Sequence, residues 1–346
     1  FSPGPASLPK AVEDEIAASF KKPGLTSLAL SHRSPEFLNI LDRTTASIRR
    51  VLDIPDDYDV LFTHGGGHGQ FVAVPLNLCH DETDVATYIV NGTWTERARD
   101  EAKRYCAVQT IDGRDPAGGY TTFPELTEEE IDPKSKFVFL CSNETVNGIE
   151  NHRLPKLPES RRHIPLVIDA SSDFTTKPID WHGDGVGVLF ACASKNLGHP
   201  GVTLTVVRKD LLGKDRASPL CPGVFNYTTN VEAGNVWNTP ATFNIEVIGY
   251  LMDWLEREGG VAENEQRSIA KSRILYDVID NSGDFYGTPV QDKTLRSRMN
   301  IPFNIKDGDE ELTNEFLIQS WNKGIVGLRT LCLLYTSDAA DDFAVV

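Results

Sequence analysis

Phe37, Leu41, Thr44, Ile48 and Leu52 recur three to four residues apart and stop before Ile54-Pro55, a spacing that predicts an amphipathic helix. Residues 58–62 read as a strand. A glycine-rich turn at 65–69 follows and leads into a helix opening within 70–74. Thr93-Trp94-Thr95-Glu96 has the spacing of a capping box ahead of a charged helix over 96–105. Four apolar runs, 136–141, 165–168, 186–191 and 202–207, each end in polar residues and predict buried parallel strands. Strands alternating with helices imply an α/β sheet that binds ligands at its strand C-termini, so 142–145, 169–173 and 194–196 are expected on one face. Thr239-Pro240 predicts another helix start, with Thr as N-cap and Pro in first position, and Ile248, Leu251, Met252 and Leu255 form its stripe before Gly259-Gly260. The division expected is an N-terminal segment 1–15, a large domain 16–250, a small α/β domain 251–329 and a tail 330–346.

A chain of 346 residues is too long for one small core, which agrees with two α/β domains. Apolar residues make up 40% and charged residues 24%, the balance of a soluble globular protein. No apolar run approaches the roughly 18 residues of a membrane span. The start, Phe1-Ser2-Pro3-Gly4-Pro5, has neither the basic nor the apolar region of a signal peptide. A net charge of −16 argues against nucleic acid or an anionic membrane as partner, so an anionic substrate must be drawn by local Arg and His. Six cysteines without a CxxC pair point to a reduced, intracellular protein and no zinc site.

Several residues invite a chemical reading. Lys195 follows an apolar run, where burial would lower its pKa and favour the neutral amine that forms a Schiff base. Most lysines are solvated, but Phe190-Ala191-Cys192-Ala193 and Gly198-His199-Pro200-Gly201 are poor surroundings for one. Asp169 ends the run 165–168; buried, it would hold a pyridinium nitrogen protonated, and as a plain strand-end Asp it would cap the next turn. The glycines at 65–69 offer clustered N–H groups for a phosphate, or form an ordinary tight turn. They are followed by no Gly-Lys-Ser/Thr, which counts against a nucleotide-binding loop. His64 and His68 bracket the glycines, so a metal site is not expected. Trp94 would stack on an aromatic cofactor or anchor a core. His32-Arg33 and Arg329 would bind carboxylate or phosphate, or stay solvated.

Taken in order, Phe1-Ser2-Pro3-Gly4-Pro5-Ala6, Ser31-His32-Arg33-Ser34, residues 64–71 with 75–78, Ser142-Asn143-Glu144-Thr145, Asp169-Ala170-Ser171-Ser172, Ser194-Lys195-Asn196-Leu197-Gly198, residues 238–243 and Arg296-Ser297-Arg298-Met299-Asn300 resemble the phosphoserine aminotransferase family over residues 1 to about 329. The resemblance implies fold type I, with a mainly parallel sheet between helices in a large domain and a smaller α/β domain, and pyridoxal 5'-phosphate (PLP) as cofactor. It implies that Lys195 carries PLP as a Schiff base, Asp169 pairs with the ring nitrogen, Trp94 stacks on the ring, Thr145 contacts its oxygen, and Gly67, His68 and Ser194 help hold it. Asn238 and Thr239 would reach the phosphate of the other subunit's PLP, making a homodimer with shared sites. His32, Arg33 and Arg329 would bind the substrate's distal anion. The implied reaction moves an amino group between glutamate and 3-phosphohydroxypyruvate in serine biosynthesis, and extends to 4-phosphohydroxythreonine in pyridoxine biosynthesis. The implied location is the cytoplasm, or a plastid if a leader has been lost.

Pro3 and Ser194 depart from the family's usual Ser or Ala, and Gln. After Gly327-Leu328-Arg329, where the family reads Gly-His-Arg, residues 330–346 match nothing in it and resemble translated adapter sequence. Tyr335 falls where the family has the arginine that grips the substrate α-carboxylate, and Tyr offers no two-pronged cation. The expectation is a gene lacking its 3′ end and a small domain with an exposed apolar face. Alternative readings are another fold type I aminotransferase, a non-catalytic PLP-binding homologue and, more distantly, a nucleotide-binding domain.

Overall fold

The sequence alternates strands with helices that must cover both faces of a sheet, and the folded chain does so. The computed structural model describes residues 4–213, 215–325 and 327–328, so Pro3, Arg329, Tyr335 and the tail lie outside the described residues. In chain order the elements are α1 (Lys10–Ser19), α2 (Pro35–Val51), β1 (Tyr58–Thr63), α3 (Gly66–Leu78), β2 (Val85–Val90), α4 (Thr93–Ala102), β3 (Ala107–Asp112), β4 (Val138–Cys141), β5 (Asn143–Glu144) and β6 (Ile149–Glu150). They continue with β7 (Leu166–Asp169), β8 (Val186–Cys192), β9 (Thr203–Arg208), α5 (Tyr227–Glu232), α6 (Thr242–Arg257), α7 (Gly260–Asp280), β10 (Tyr286–Gly287), β11 (Asn304–Ile305) and α8 (Glu310–Asn322).

One seven-stranded sheet runs β1-β9-β8-β7-β4-β2-β3. Its central strands β4, β7 and β8 are buried almost from end to end because both faces are covered, whereas the edge strand β3 is largely exposed. Val138, Leu140, Leu166, Ile168, Leu189, Ala191, Leu204 and Val206 face one core with α2 and α6. Phe139, Val167, Val188, Phe190 and Val207 face the other with α3 and α4. This is the two-residue period of a strand, hidden from a simple apolar–polar reading because both sides are dry.

The run at 202–207 is a correction. It forms β9, which pairs antiparallel with both β8 and β1, while β7, β4, β2 and β3 are parallel to β8. The connection from β8 to β9 is too short for the dozen or more residues of a crossover, and the Ala193 N–H bonds the Val202 carbonyl at 2.9 Å to close a hairpin instead. Because β9 alone is reversed, the C-terminal ends of β1, β2, β4, β7 and β8 share one edge.

Three helix starts also differ from expectation. α3 begins at Gly66, so the glycines form its first turn and His68 rides the helix. α4 begins at Thr93 after Gly92, and no side chain of its own caps it. α6 begins at Thr242, not Thr239-Pro240; its N-cap is Ala241, and the Thr242 hydroxyl bonds the Ser27 carbonyl at 2.6 Å, tying the first turn to the segment before α2. Gly259, with φ 100°, ends α6 and opens α7.

Beyond α6, Phe285, Tyr286, Phe303 and Phe316 stack edge to face between β10, β11 and α8. Ile274, Leu275 and Val278 on α7, and Ile318 and Trp321 on α8, are exposed. Among the described residues no helix is long and apolar enough to cross a membrane.

Candidate active site

Each parallel strand delivers its next residues to the shared edge. Asp169 ends β7, Lys195 follows β8, the glycine cradle follows β1, Trp94 follows β2, and Glu144 and Thr145 follow β4. The three segments expected on one face are there, and Lys195 and Asp169 are brought together. Lys195 is half-buried in the β8–β9 hairpin, where burial lowers its pKa against the opposing pull of Cys192 and Asp169. Asp169 is almost fully buried; burial pushes its carboxyl up to about 6, opposed by the N–H and side chain of Ser171 and, less, by Lys195. The Ser171 N–H donates to Asp169 Oδ1 at 2.9 Å. The N-terminal segment closes over the lysine: a Cβ at Gly4 would lie 2.9 Å from Lys195 Nζ, and the Ala6 N–H bonds the Ser194 carbonyl at 2.9 Å.

The cradle is built by close approach of backbone. Gly65 has φ 87°, and the Gly69 N–H returns to its carbonyl at 2.9 Å. A Cβ at Gly69 would meet the His64 carbonyl oxygen at 2.7 Å, so no side chain fits there. One at Gly67 would lie 3.5 Å from Cys192 Sγ and 3.9 Å from Asp169 Oδ2, which sets the first turn of α3 directly beside the acid and the lysine strand. No side chain caps that turn, and the N-terminus of a helix favours an anion.

Trp94 forms the other wall. Its indole N–H bonds Thr145 Oγ1 at 2.7 Å, the His68 ring stands edge-on with centroids 6.0 Å apart, and the Arg97 guanidinium lies 5.2 Å from its centroid. Asn238 bonds His64 of the same chain at 3.2 Å beside the cradle, and Thr239 is exposed next to it. His32 and Arg33 sit on the turn before α2 rather than at a strand end. Arg33 is exposed, and His32 Nε2 is buried without a hydrogen-bond partner among the described residues.

Two features escaped sequence reasoning. Glu144, fully buried, supplies the cap that α4 lacks; the signal was a helix opening on glycine, which needs an acceptor from elsewhere. The segment 296–300 serves architecture. Ser297 Oγ donates to Asn143 Oδ1 at 2.6 Å, Asn143 Nδ2 donates to Asn300 Oδ1 at 3.1 Å, and Arg298 Nη2 pairs with buried Glu150 at 2.8 Å. Arg298 also reaches Glu265 on α7 at 3.1 Å, so this segment ties α7 to the edge where the parallel strands end. Among the described residues no cluster of His, Cys, Asp or Glu is arranged to hold a metal.

Comparison with known proteins agrees with this arrangement. The chain is 39% identical to the phosphoserine aminotransferase of Albidiferax ferrireducens over 95% of its own length and 89% of that protein's. It is 38% identical to the Drosophila melanogaster phosphoserine aminotransferase over the same shares, 95% and 89%. The fold matches the solved phosphoserine aminotransferase of Bacillus circulans subsp. alkalophilus with a TM-score of 0.86 at 33% identity, covering 95% of this chain and 88% of that one. It matches the PLP-bound phosphoserine aminotransferase of Trichomonas vaginalis with a TM-score of 0.85 at 31% identity, covering 95% and 90%. An alanine–glyoxylate aminotransferase from Nostoc, 19% identical with a TM-score of 0.72, shares the fold alone. Residues 1–326 match the family Aminotransferase class-V, and the chain belongs to that family.

Proposed function

We propose that this chain is a phosphoserine aminotransferase, moving an amino group reversibly between L-glutamate and 3-phosphohydroxypyruvate to give O-phospho-L-serine and 2-oxoglutarate in serine biosynthesis, with PLP as cofactor. The observation that carries the reading is a buried carboxylate and a half-buried lysine meeting at the ends of neighbouring strands, beside a glycine cradle, in a chain so similar to phosphoserine aminotransferases. The donor set suits PLP. Asp169 is raised by burial, with Lys195 the smallest of the opposing influences, so a protonated ring nitrogen would supply a close cationic partner.

On this reading Lys195 would hold PLP covalently through Nζ, Asp169 would face its ring nitrogen, Trp94 its ring and Thr145 its ring oxygen, with Gly67, His68 and Ser194 at the remaining oxygens. When bound, PLP supplies an electron sink that lets an amino group leave one carbon skeleton and join another. The chain supplies the proton traffic: Lys195 Nζ, favoured as the neutral amine by burial, accepts a proton and returns it. His32, Arg33 and Arg329 bind the distal anion by charge-assisted hydrogen bonds, a local attraction set against an overall charge of −16.

The proposal includes a homodimer in which Asn238 and Thr239 serve the partner's cofactor phosphate. Leu25 and Leu28 ahead of His32, and Leu220 and Trp237 ahead of Asn238, are exposed apolar side chains of the kind that a second copy covers. It also includes a cytoplasmic location, in keeping with the free cysteines at 79, 106, 141, 192 and 221 among the described residues. Another aminotransferase specificity and a non-catalytic homologue are not favoured, given relatives of this similarity. The test is the visible absorbance of the protein with PLP, before and after glutamate and then 3-phosphohydroxypyruvate, with Lys195→Ala as control. A band that glutamate removes and the keto acid restores is expected; a band indifferent to both refutes the activity, and none at all refutes the cofactor.

A further inference from the structure

We infer that Glu144 is a positioning residue whose carboxylate, capping α4 from outside the helix, fixes the Trp94 ring at the cofactor site. The inference rests on the proposed role of Trp94 against PLP. α4 opens on Gly92, which has no side chain to accept its first N–H groups. Residues of the β5–β6 hairpin do so instead. Asn147 Oδ1 accepts from the Thr93 N–H at 3.2 Å; the Glu144 carboxylate accepts from the Trp94 N–H at 3.0 Å, the Thr95 N–H at 2.7 Å and the Thr95 hydroxyl at 2.8 Å. Thr145, the next residue, holds the indole N–H. Trp94 is therefore gripped at its backbone by Glu144 and at its ring by Thr145, so the hairpin that sets one end sets the other.

Gly92 and Glu144 form a single device. The backbone at Gly92 is extended, with φ 176°, and is open to any residue. What excludes a side chain is the carboxylate: a Cβ there would lie 2.3 Å from Glu144 Cδ. The missing cap is supplied by a group that needs the space the glycine leaves. The hydrogen-bond partners of Glu144 are N–H and O–H groups of α4, at the positive end of the helix dipole, rather than a lysine or arginine. Burial pushes its carboxyl up to about 7, so the position is occupied at a cost that a surface cap would not carry.

The experiment compares Glu144→Gln in the full wild-type chain and in a Trp94→Phe background, measuring the PLP dissociation constant, the visible band of bound PLP and the melting of the PLP-free protein. The amide keeps the shape but turns one acceptor into a donor facing an N–H. In the wild-type background PLP binding weakens about fivefold and the band shifts; in the Trp94→Phe background Glu144→Gln changes neither, because both substitutions act through the same ring. An equal loss in both backgrounds, or a lower melting temperature with unchanged PLP affinity, makes Glu144 a stabilising cap only and overturns the inference. If Trp94→Phe alone leaves PLP affinity and spectrum intact, the reading of Trp94 has failed as well. Gly92→Ala, which displaces the carboxylate without removing it, carries the same expectation should Glu144→Gln not fold.

Discussion

Arg298→Ala is predicted to destabilise the protein by about 3 kcal/mol or more, because it strands a buried charge. Glu150 is fully buried, and Arg298 meets it through its own backbone N–H at 2.6 Å and through Nε and Nη2 at 3.1 and 2.8 Å. Truncation removes both guanidinium bonds and leaves Lys177, 3.8 Å away, as the one remaining ion-pair partner of Glu150 among the described residues. Lys177 is itself committed to Asp173 and to the Asn151 carbonyl. Burial opposes ionisation of Glu150, but Lys177 and Arg298 outweigh it and hold the carboxyl below the usual glutamate range. A depressed carboxylate contributes stability that is present above its unfolded pKa and lost as pH falls through its folded one. The gap between wild type and variant should therefore be widest near neutral pH and narrow in acid. Urea unfolding at pH 7.5 and in acid measures it, and pairing Arg298→Met with Glu150→Gln should recover most of the loss by removing the stranded charge. A loss under about 1 kcal/mol for Arg298→Ala, or a gap that widens in acid, would refute the reasoning.

Gly69→Ala forces a Cβ against the His64 carbonyl, so the cradle must open; PLP binding should weaken by about tenfold in a titration, and unchanged affinity would mean that the turn is not the phosphate site. Asn235, with φ 64°, lays its amide along the open edge of β1, accepting from the Phe62 N–H and donating to the Val60 carbonyl. Asn235→Ala should cost about 2 kcal/mol in unfolding free energy and Asn235→Gly less, since glycine keeps the backbone free of strain; the reverse order would be a refutation.

The sheet and the pairing of Lys195 with Asp169 were legible because both lie at ends of apolar runs, and a parallel sheet gathers such ends on one edge. The direction of β9 was not, since a run of Val, Thr and Leu reads the same in either sense and only the shortness of the preceding connection separates them. β2 and β3 were passed over in sequence, though Val85–Val90 is as apolar as its neighbours. Helix starts were misread wherever a local pattern had a rival at a distance. Thr93 and Glu96 look like a reciprocal cap, but the N–H groups that they would share are taken elsewhere, that of Thr93 by Asn147 Oδ1 and that of Glu96 by the Gly92 carbonyl, while Glu144 caps the two between. Thr239-Pro240 has the right residues, yet the bond from Thr242 to Ser27 fixes where the helix begins. Segments 142–145 and 296–300 stood out as signatures, but that one braces the other across the sheet edge is visible only in three dimensions.

The single reversed strand has a consequence for how the protein is made. β1 pairs with β9, Tyr58 lying opposite Arg208, so a ribosome releases β1 long before its partner exists. At roughly 5–20 residues per second that delay is about 7–30 s, during which an apolar strand has neither its ladder nor the Asn235 amide that covers its outer edge. An uncovered strand edge of this kind seeks other chains. Conditions that slow translation lengthen the interval, and a chaperone that shelters the segment until residue 208 emerges removes its hazard. The geometry that places the lysine hairpin beside the glycine cradle thus also sets the period in which a nascent copy is most exposed to aggregation.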